Sequence, residues 1–446
     1  MKKISNLLLS LSVVSTALVG CSASSTSSAT ATSSSDKLTG TYAIHVEGYD
    51  WGAGVDKAIL KLDNAVSNVS ASDFVVTETK QTTDWTDETF PVIETTVDRV
   101  VDDAYACDEN GEKVDGESEY VALELYCSPN DGSPLLYSMA TSYNTWSDPY
   151  YLTFSLAEDS KLTVGDTAVT ELTVDEDYTE KTTAADVMSV STFESSDGIE
   201  MQYGTYEPEE KADTLFVWLH GAGEGGTEDT DPYLTALGNK VTAYFGEDFQ
   251  EQLGGAYVLV PQCPTFWMDI DGKVNWQNND GTSYYEDALM ELIDSYKEEV
   301  GAKNVVVAGC SNGGFMTMRL VLSNPDYFTA AVPICEALLD EYVTDEELEG
   351  IKDLPIYFIY SEDDTTVDPT KYEQPTIARL EKIGATNLHV STSEHVIDTT
   401  GEFDELNDGE AYQYNGHWSW IYFDNNEADC DEHGEHVWQW IADQLN

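Results

Sequence analysis

The stretch that most constrains the fold is Gly309-Cys310-Ser311-Asn312-Gly313, because of what stands on either side of it. Before it, Asn304-Val305-Val306-Val307-Ala308 is short, apolar and β-branched, which predicts a buried strand. After it, Phe315-Met316-Thr317-Met318-Arg319-Leu320-Val321-Leu322 predicts a helix. A Gly-x-Ser-x-Gly between strand and helix forces a turn so tight that small residues must flank the serine. The hydroxyl is then left exposed above the sheet. The bare pattern arises easily in a chain rich in Gly and Ser. The strand and helix around it are what make Ser311 a candidate nucleophile.

A serine hydroxyl attacks only when a base removes its proton, and the base must itself be oriented. On a strand–turn–helix of this kind the partners follow in the order acid, then histidine. Downstream, residues 354–360 predict another buried strand, ending in Ser361-Glu362-Asp363-Asp364-Thr365-Thr366-Val367-Asp368. Four acids compete there. Asp364 is preferred because it stands just past the strand end, with Asp363 and Asp368 behind it. Of the seven histidines, five come after Asp364. His389 falls inside a predicted strand over residues 387–391, and His433 and His436 fall at a terminal helix over residues 435–444. His417 and His395 remain, and His417 is preferred. It lies in Tyr414-Asn415-Gly416-His417-Trp418-Ser419-Trp420, an aromatic loop leading to that helix.

Acyl transfer also needs donors for the charge that grows on the carbonyl oxygen. The Asn312 amide is one candidate. The other is Ala222, in His220-Gly221-Ala222-Gly223-Glu224-Gly225-Gly226 after the predicted strand over residues 214–219. His220 precedes the serine and is read as a structural brace. Trp267 and Trp418 are candidates for the substrate pocket.

These segments, with Val260-Pro261-Gln262-Cys263-Pro264, Ala331-Val332-Pro333-Ile334-Cys335 and His417-Trp418-Ser419-Trp420, resemble the α/β-hydrolase superfamily. The resemblance is to secreted bacterial esterases and predicted peptidases close to polyhydroxybutyrate depolymerases and feruloyl esterases. It covers residues 185–446 and implies a mostly parallel, doubly wound sheet. It also implies a serine hydrolase of carboxylic esters working through an acyl-enzyme without a cofactor, and it does not specify the substrate. Trp and Tyr residues near the site suit phenolic esters or acylated polysaccharide. The histidine loop looks like the His-x-Ser-Trp of that group, which supports His417. Cys310, unusual at the second position of the turn, is expected to be a buried small residue. A serine peptidase using the same residues and an inert binding or adhesion lipoprotein are the alternatives.

Upstream, residues 38–183 give short alternating runs at 42–46, 74–77, 92–101, 120–126 and 151–154, separated by turn residues. That pattern predicts an all-β sandwich, with residues 184–446 as the catalytic domain. Gly48-Tyr49-Asp50-Trp51-Gly52 and the run after it resemble the immunoglobulin-like module that precedes some secreted bacterial esterases.

Met1-Lys2-Lys3 and the apolar residues 7–19 predict a secretory signal over residues 1–20, too short to span a membrane. Leu18-Val19-Gly20-Cys21 resembles the bacterial lipoprotein box, which implies a lipid on Cys21 and a protein anchored outside the cell. Simple secretion is the alternative. The Ser/Thr/Ala-rich residues 21–37 predict a flexible tether. Of the other cysteines, Cys107 and Cys127 are candidates for a hairpin disulfide, and Cys263, Cys310 and Cys335 are expected to be buried thiols. Cys430 stays unassigned. A formal net charge of −64 excludes nucleic acid as a partner. Asp269-Ile270-Asp271-Gly272 falls short of a calcium loop, so no metal is expected.

Overall fold

The computed structural model describes residues 36–226, 230–429 and 436–445. The predicted signal, Cys21, residues 21–35 of the tether, Cys430 and His433 lie outside the described residues.

The first part of the chain is an immunoglobulin-like domain of strands. Lys37–Tyr49 and Gly52–Val66 form a long hairpin, extended by Ser118–Leu125 and Val101–Cys107 on one side and by Glu171–Val174 and Glu180–Thr183 on the other. A second sheet sets Phe74–Thr83 between Val92–Arg99 and Tyr150–Leu156. The run expected over residues 92–101 is thus two strands in different sheets, and the chain crosses between them at the exposed Val100. Alternation explains the packing, because Tyr42, Ile44 and Val46 point inward from one strand and Ala58, Leu60 and Leu62 from its partner. Cys107 and Cys127 are free thiols, not a disulfide. Cys107 is paired with Tyr120 across the hairpin, so Cys127 lies roughly 20 Å further along the chain direction.

The second part is an α/β-hydrolase sheet of eight strands. Their order is Ser189–Glu194, Glu200–Tyr206, Tyr257–Gln262, Thr214–Leu219, Asn304–Cys310, Ala330–Ile334, Ile356–Ser361 and Leu388–Ser393. The first two are antiparallel to their neighbours, and the remaining pairings are parallel. The central strands read as unbroken apolar runs because helices cover both faces. Leu215, Val217 and Leu219 face the helix Glu286–Val300 side, while Phe216 and Trp218 face the other. On that second face one continuous core holds Phe216 and Trp218 together with Tyr42 and Ile44 of the immunoglobulin-like domain, and helix Pro232–Gly238 packs on strands Lys37–Tyr49 and Gly52–Val66.

The two parts also share polar and aromatic ties. Trp146 Nε1 donates to Asp231 Oδ2 at 2.8 Å, Lys240 pairs with Asp50 at 2.7 Å, and Tyr143 stacks on Phe266 with centroids 4.8 Å apart.

Candidate active site

Strand Asn304–Cys310 ends at Ser311, and helix Asn312–Ser323 begins on the next residue. Between them Ser311 adopts φ 54° and ψ −112°, a conformation side chains rarely take and one that holds roughly 1–3 kcal/mol of strain. The glycines make the turn achievable. A Cβ on Gly313 would run into the carbonyl of Leu219, and one on Gly309 would come within 2.7 Å of the Gly313 carbonyl oxygen. The helix therefore starts against the neighbouring strand with no room for a methyl group.

Strand Ile356–Ser361 delivers two adjacent acids to the same sheet edge, and they do different things. Asp364 Oδ2 lies 2.6 Å from His417 Nδ1. Its other oxygen accepts the backbone N–H groups of Thr366 at 2.8 Å and Val367 at 2.9 Å. The Asp364 side chain is 1% exposed, so its orientation is fixed by these partners. Asp363 instead accepts from Ser361 Oγ at 2.7 Å and meets His395 Nδ1 at 2.7 Å. Asp368 sits in an exposed turn with Thr370 and Lys371.

His417 is carried by a loop whose backbone is held by the Asn415 side chain, which accepts the His417 N–H at 3.0 Å. His417 Nε2 is 2.9 Å from Ser311 Oγ. With a carboxylate accepting at Nδ1, the proton of the neutral ring belongs there, leaving Nε2 to accept from the serine hydroxyl. Ser311, His417 and Asp364 form one hydrogen-bonded chain, the arrangement that makes a hydroxyl nucleophilic.

The two candidate amides both stand at helical starts, where the N–H has no acceptor within its own helix. Asn312 is the first residue of its helix, and Ala222 the first of the short helical turn Ala222–Glu224. The Asn312 side chain is used structurally, accepting the Trp267 N–H at 2.7 Å. His220 is buried beneath this loop. Its Nε2 accepts the Cys263 N–H at 2.9 Å, so its proton sits on Nδ1, 2.6 Å from the Gly221 carbonyl. Burial pushes its pKa down to about 4, which keeps the ring neutral as it ties two strand ends together.

Ser311, His417 and Ala222 line a cleft of about 440 Å³, together with Trp418. Trp267, expected to join it, is instead wholly buried under the sheet edge and does not line the cleft; its ring packs against His220 with centroids 5.2 Å apart. Cys310, Cys263 and Cys335 are buried free thiols. Asp269 organises a turn, accepting from Thr265 Oγ1 at 2.7 Å and from the Val274 and Asn275 amides.

Several lining residues come from the immunoglobulin-like domain and are missed as site residues by sequence reasoning. Among them are Trp51, which stands in the segment over residues 48–52, and Trp85, Tyr137 and Asn144, which carry no motif. Asn144 Nδ2 donates to Glu224 Oε1 at 3.0 Å, reaching the loop that carries Ala222. Burial raises the Glu224 carboxyl from 4.5 to about 7, although the Asn144 hydrogen bond opposes the shift. The folded state thus holds this proton longer than the unfolded chain. The associated stability is complete below about pH 4.5 and is lost as pH rises through about 7. Glu224→Gln keeps an acceptor for Asn144 and removes the titration. Thermal melts should find the variant gaining on wild type between pH 5 and pH 8, by at most about 3 kcal/mol. An unchanged difference at the two pH values would contradict this.

Residues 41–169 match the family model of the esterase Ig-like N-terminal domain, and residues 202–401 that of the phospholipase/carboxylesterase family. No curated protein matches the chain. Among solved structures, a thermostable esterase superposes with a TM-score of 0.64 at 22% identity, covering 87% of this chain and 96% of that one. A ferulic acid esterase covers 46% of this chain and 90% of its own, at 12% identity and a TM-score of 0.34. Est1E from Butyrivibrio proteoclasticus covers 46% and 88%, at 14% identity and a TM-score of 0.32. The likeness along nearly the full length of the thermostable esterase concerns the fold, and the two family matches supply the chemistry. On that basis the chain belongs to the α/β-hydrolase superfamily, as a serine hydrolase of carboxylic esters preceded by an esterase Ig-like domain.

Proposed function

We propose that this chain is a surface-anchored carboxylesterase that works through an acyl-enzyme on Ser311. The observation that carries the reading is the continuous hydrogen-bonded chain from Ser311 through His417 to Asp364, opening into a cleft. Ser311 Oγ attacks the ester carbonyl carbon while its proton passes to His417 Nε2. Asp364 holds the resulting imidazolium in place, and the Asn312 and Ala222 amides receive the oxyanion. His417 then protonates the departing alkoxide as the C–O bond breaks. In the second half a water molecule gives its proton to His417 and attacks the acyl carbon. The bond from that carbon to Ser311 Oγ then breaks, His417 returns the proton to Oγ, and the carboxylic acid leaves. No cofactor takes part.

The substrates we assign are esters of phenolic acids or acyl groups on polysaccharide. Attachment would be through a lipid on Cys21, with residues 21–37 as tether, residues 38–183 as the first domain and residues 184–446 as the catalytic one. Nothing in the described residues favours a peptide-binding cleft. Paired assays with p-nitrophenyl acyl esters and chromogenic peptides separate the readings. Ester turnover with negligible peptide turnover is expected, and the reverse would replace the esterase with a peptidase.

A further inference from the structure

We propose that Trp85 stacked on Tyr137, at the edge of the immunoglobulin-like domain, is a substrate subsite that holds an uncharged ring of the ester by its apolar face. This deepens the assignment above and rests on Ser311 being the nucleophile.

The first support is placement. Trp85 and Tyr137 line the same cleft as Ser311 and His417. The cleft adjoins a further hollow of about 170 Å³, which shares Trp85, Tyr137 and Asn144 with it. Thr82, Thr83, Ser133 and Leu135 also line that hollow, so it is formed almost entirely by the immunoglobulin-like domain. A group extending from an ester carbonyl at Ser311 toward that domain meets these rings.

The second is the state of Trp85 itself. Tryptophan normally buries a large area, and a tryptophan kept only for packing would be covered. Trp85 is 57% exposed. It is nevertheless held from two directions, with its ring 6.0 Å from that of Tyr137 at 22° and 5.8 Å from that of Phe90. Thr83 Oγ1 donates to the Tyr137 carbonyl, fixing the two segments to each other. An exposed ring held in one orientation is a prepared stacking surface, since ordering it on binding costs little entropy.

The third is charge. The ionisable acids on the cleft wall are Asp50 and Glu224, and among the described residues no lysine or arginine lines it. Asp50 is engaged by Lys240 at 2.7 Å. A ring bearing a carboxylate or phosphate finds no counter-charge there, whereas a neutral ring stacks without desolvating a charge. Such a ring can come from an aryl acid or from a sugar.

The test compares wild type, Trp85→Ala and Trp85→Phe of the full chain on ethyl butyrate, ethyl 3-phenylpropionate and an O-acetylated methyl glucoside, followed by pH-stat. The quantity read is kcat/KM on each ring-bearing ester divided by that on ethyl butyrate. Trp85→Ala should lower this ratio about ten-fold, as expected for the loss of one stacked ring, and Trp85→Phe should restore most of it. A fall confined to the phenyl ester identifies an aryl group, one confined to the glucoside a sugar, and both together any ring with an apolar face. A ratio unchanged on both ring-bearing esters overturns the subsite. Failure of the underlying reading would look different, because Ser311→Ala would then hydrolyse ethyl butyrate at the wild-type rate.

Discussion

Ser311→Ala should lower turnover of simple esters by about 10⁶-fold, near 8 kcal/mol of transition-state stabilisation, and abolish covalent labelling by a fluorophosphonate. The size follows from the way the site is built. His417 is already within 2.9 Å of the hydroxyl, and the strained backbone at Ser311 holds that hydroxyl out from the sheet. Removing one oxygen leaves the base and its acid with nothing to activate, so the three groups are lost together. Some rate above water should survive, because the amides of Asn312 and Ala222 do not depend on the serine side chain. Equal labelling of wild type and variant would transfer the nucleophile elsewhere, and an absence of labelling in both would favour an inert binding protein.

The second large effect separates two neighbours that look alike in the sequence. Asp364→Asn should reduce kcat by about 10⁴-fold while leaving the fold intact. An amide in that position can offer an N–H to His417 Nδ1, which drives the ring proton to Nε2, the nitrogen that must accept from Ser311. Asp363→Asn changes a carboxylate that serves His395 and Ser361, and it should cost about ten-fold at most. Steady-state kinetics on one chromogenic ester decide the matter. A larger loss at Asp363 than at Asp364 would mean that the wrong acid has been assigned.

That pair also marks how far the chain could be read before folding. Strand Ile356–Ser361 was visible as an apolar run, and so were Thr214–Leu219 and Asn304–Cys310, because parallel central strands must be apolar on both faces. The tight turn at Ser311 was visible because only glycines tolerate the approach of Gly313 to Leu219. The choice among adjacent acids rested on position past a strand end, which is a local property. Which tryptophan reaches the cleft was not local. Trp267 stands between Phe266 and Met268 and is wholly buried, while Trp85 stands among Asp84, Thr86, Asp87 and Glu88 and is largely exposed, yet neither neighbourhood says which ring lines the cleft. The outcome depends on which distant surface arrives beside each. Asn144 meeting Glu224 across 80 residues of chain has no periodicity or motif to announce it. The cysteine pairing failed for a related reason, since strand register is set by the whole hairpin and not by the spacing of two residues.

The apolar face shared by sandwich and sheet has a further consequence. A bead on a string can be cut off or exchanged without loss, but a buttress cannot. Excising residues before the hydrolase strands would leave helix Pro232–Gly238, with its buried Ala236 and Leu237, open to water and remove one wall of the reaction chamber. The leading module is therefore part of the enzyme's own masonry, and the catalytic half should not keep its shape when expressed without it.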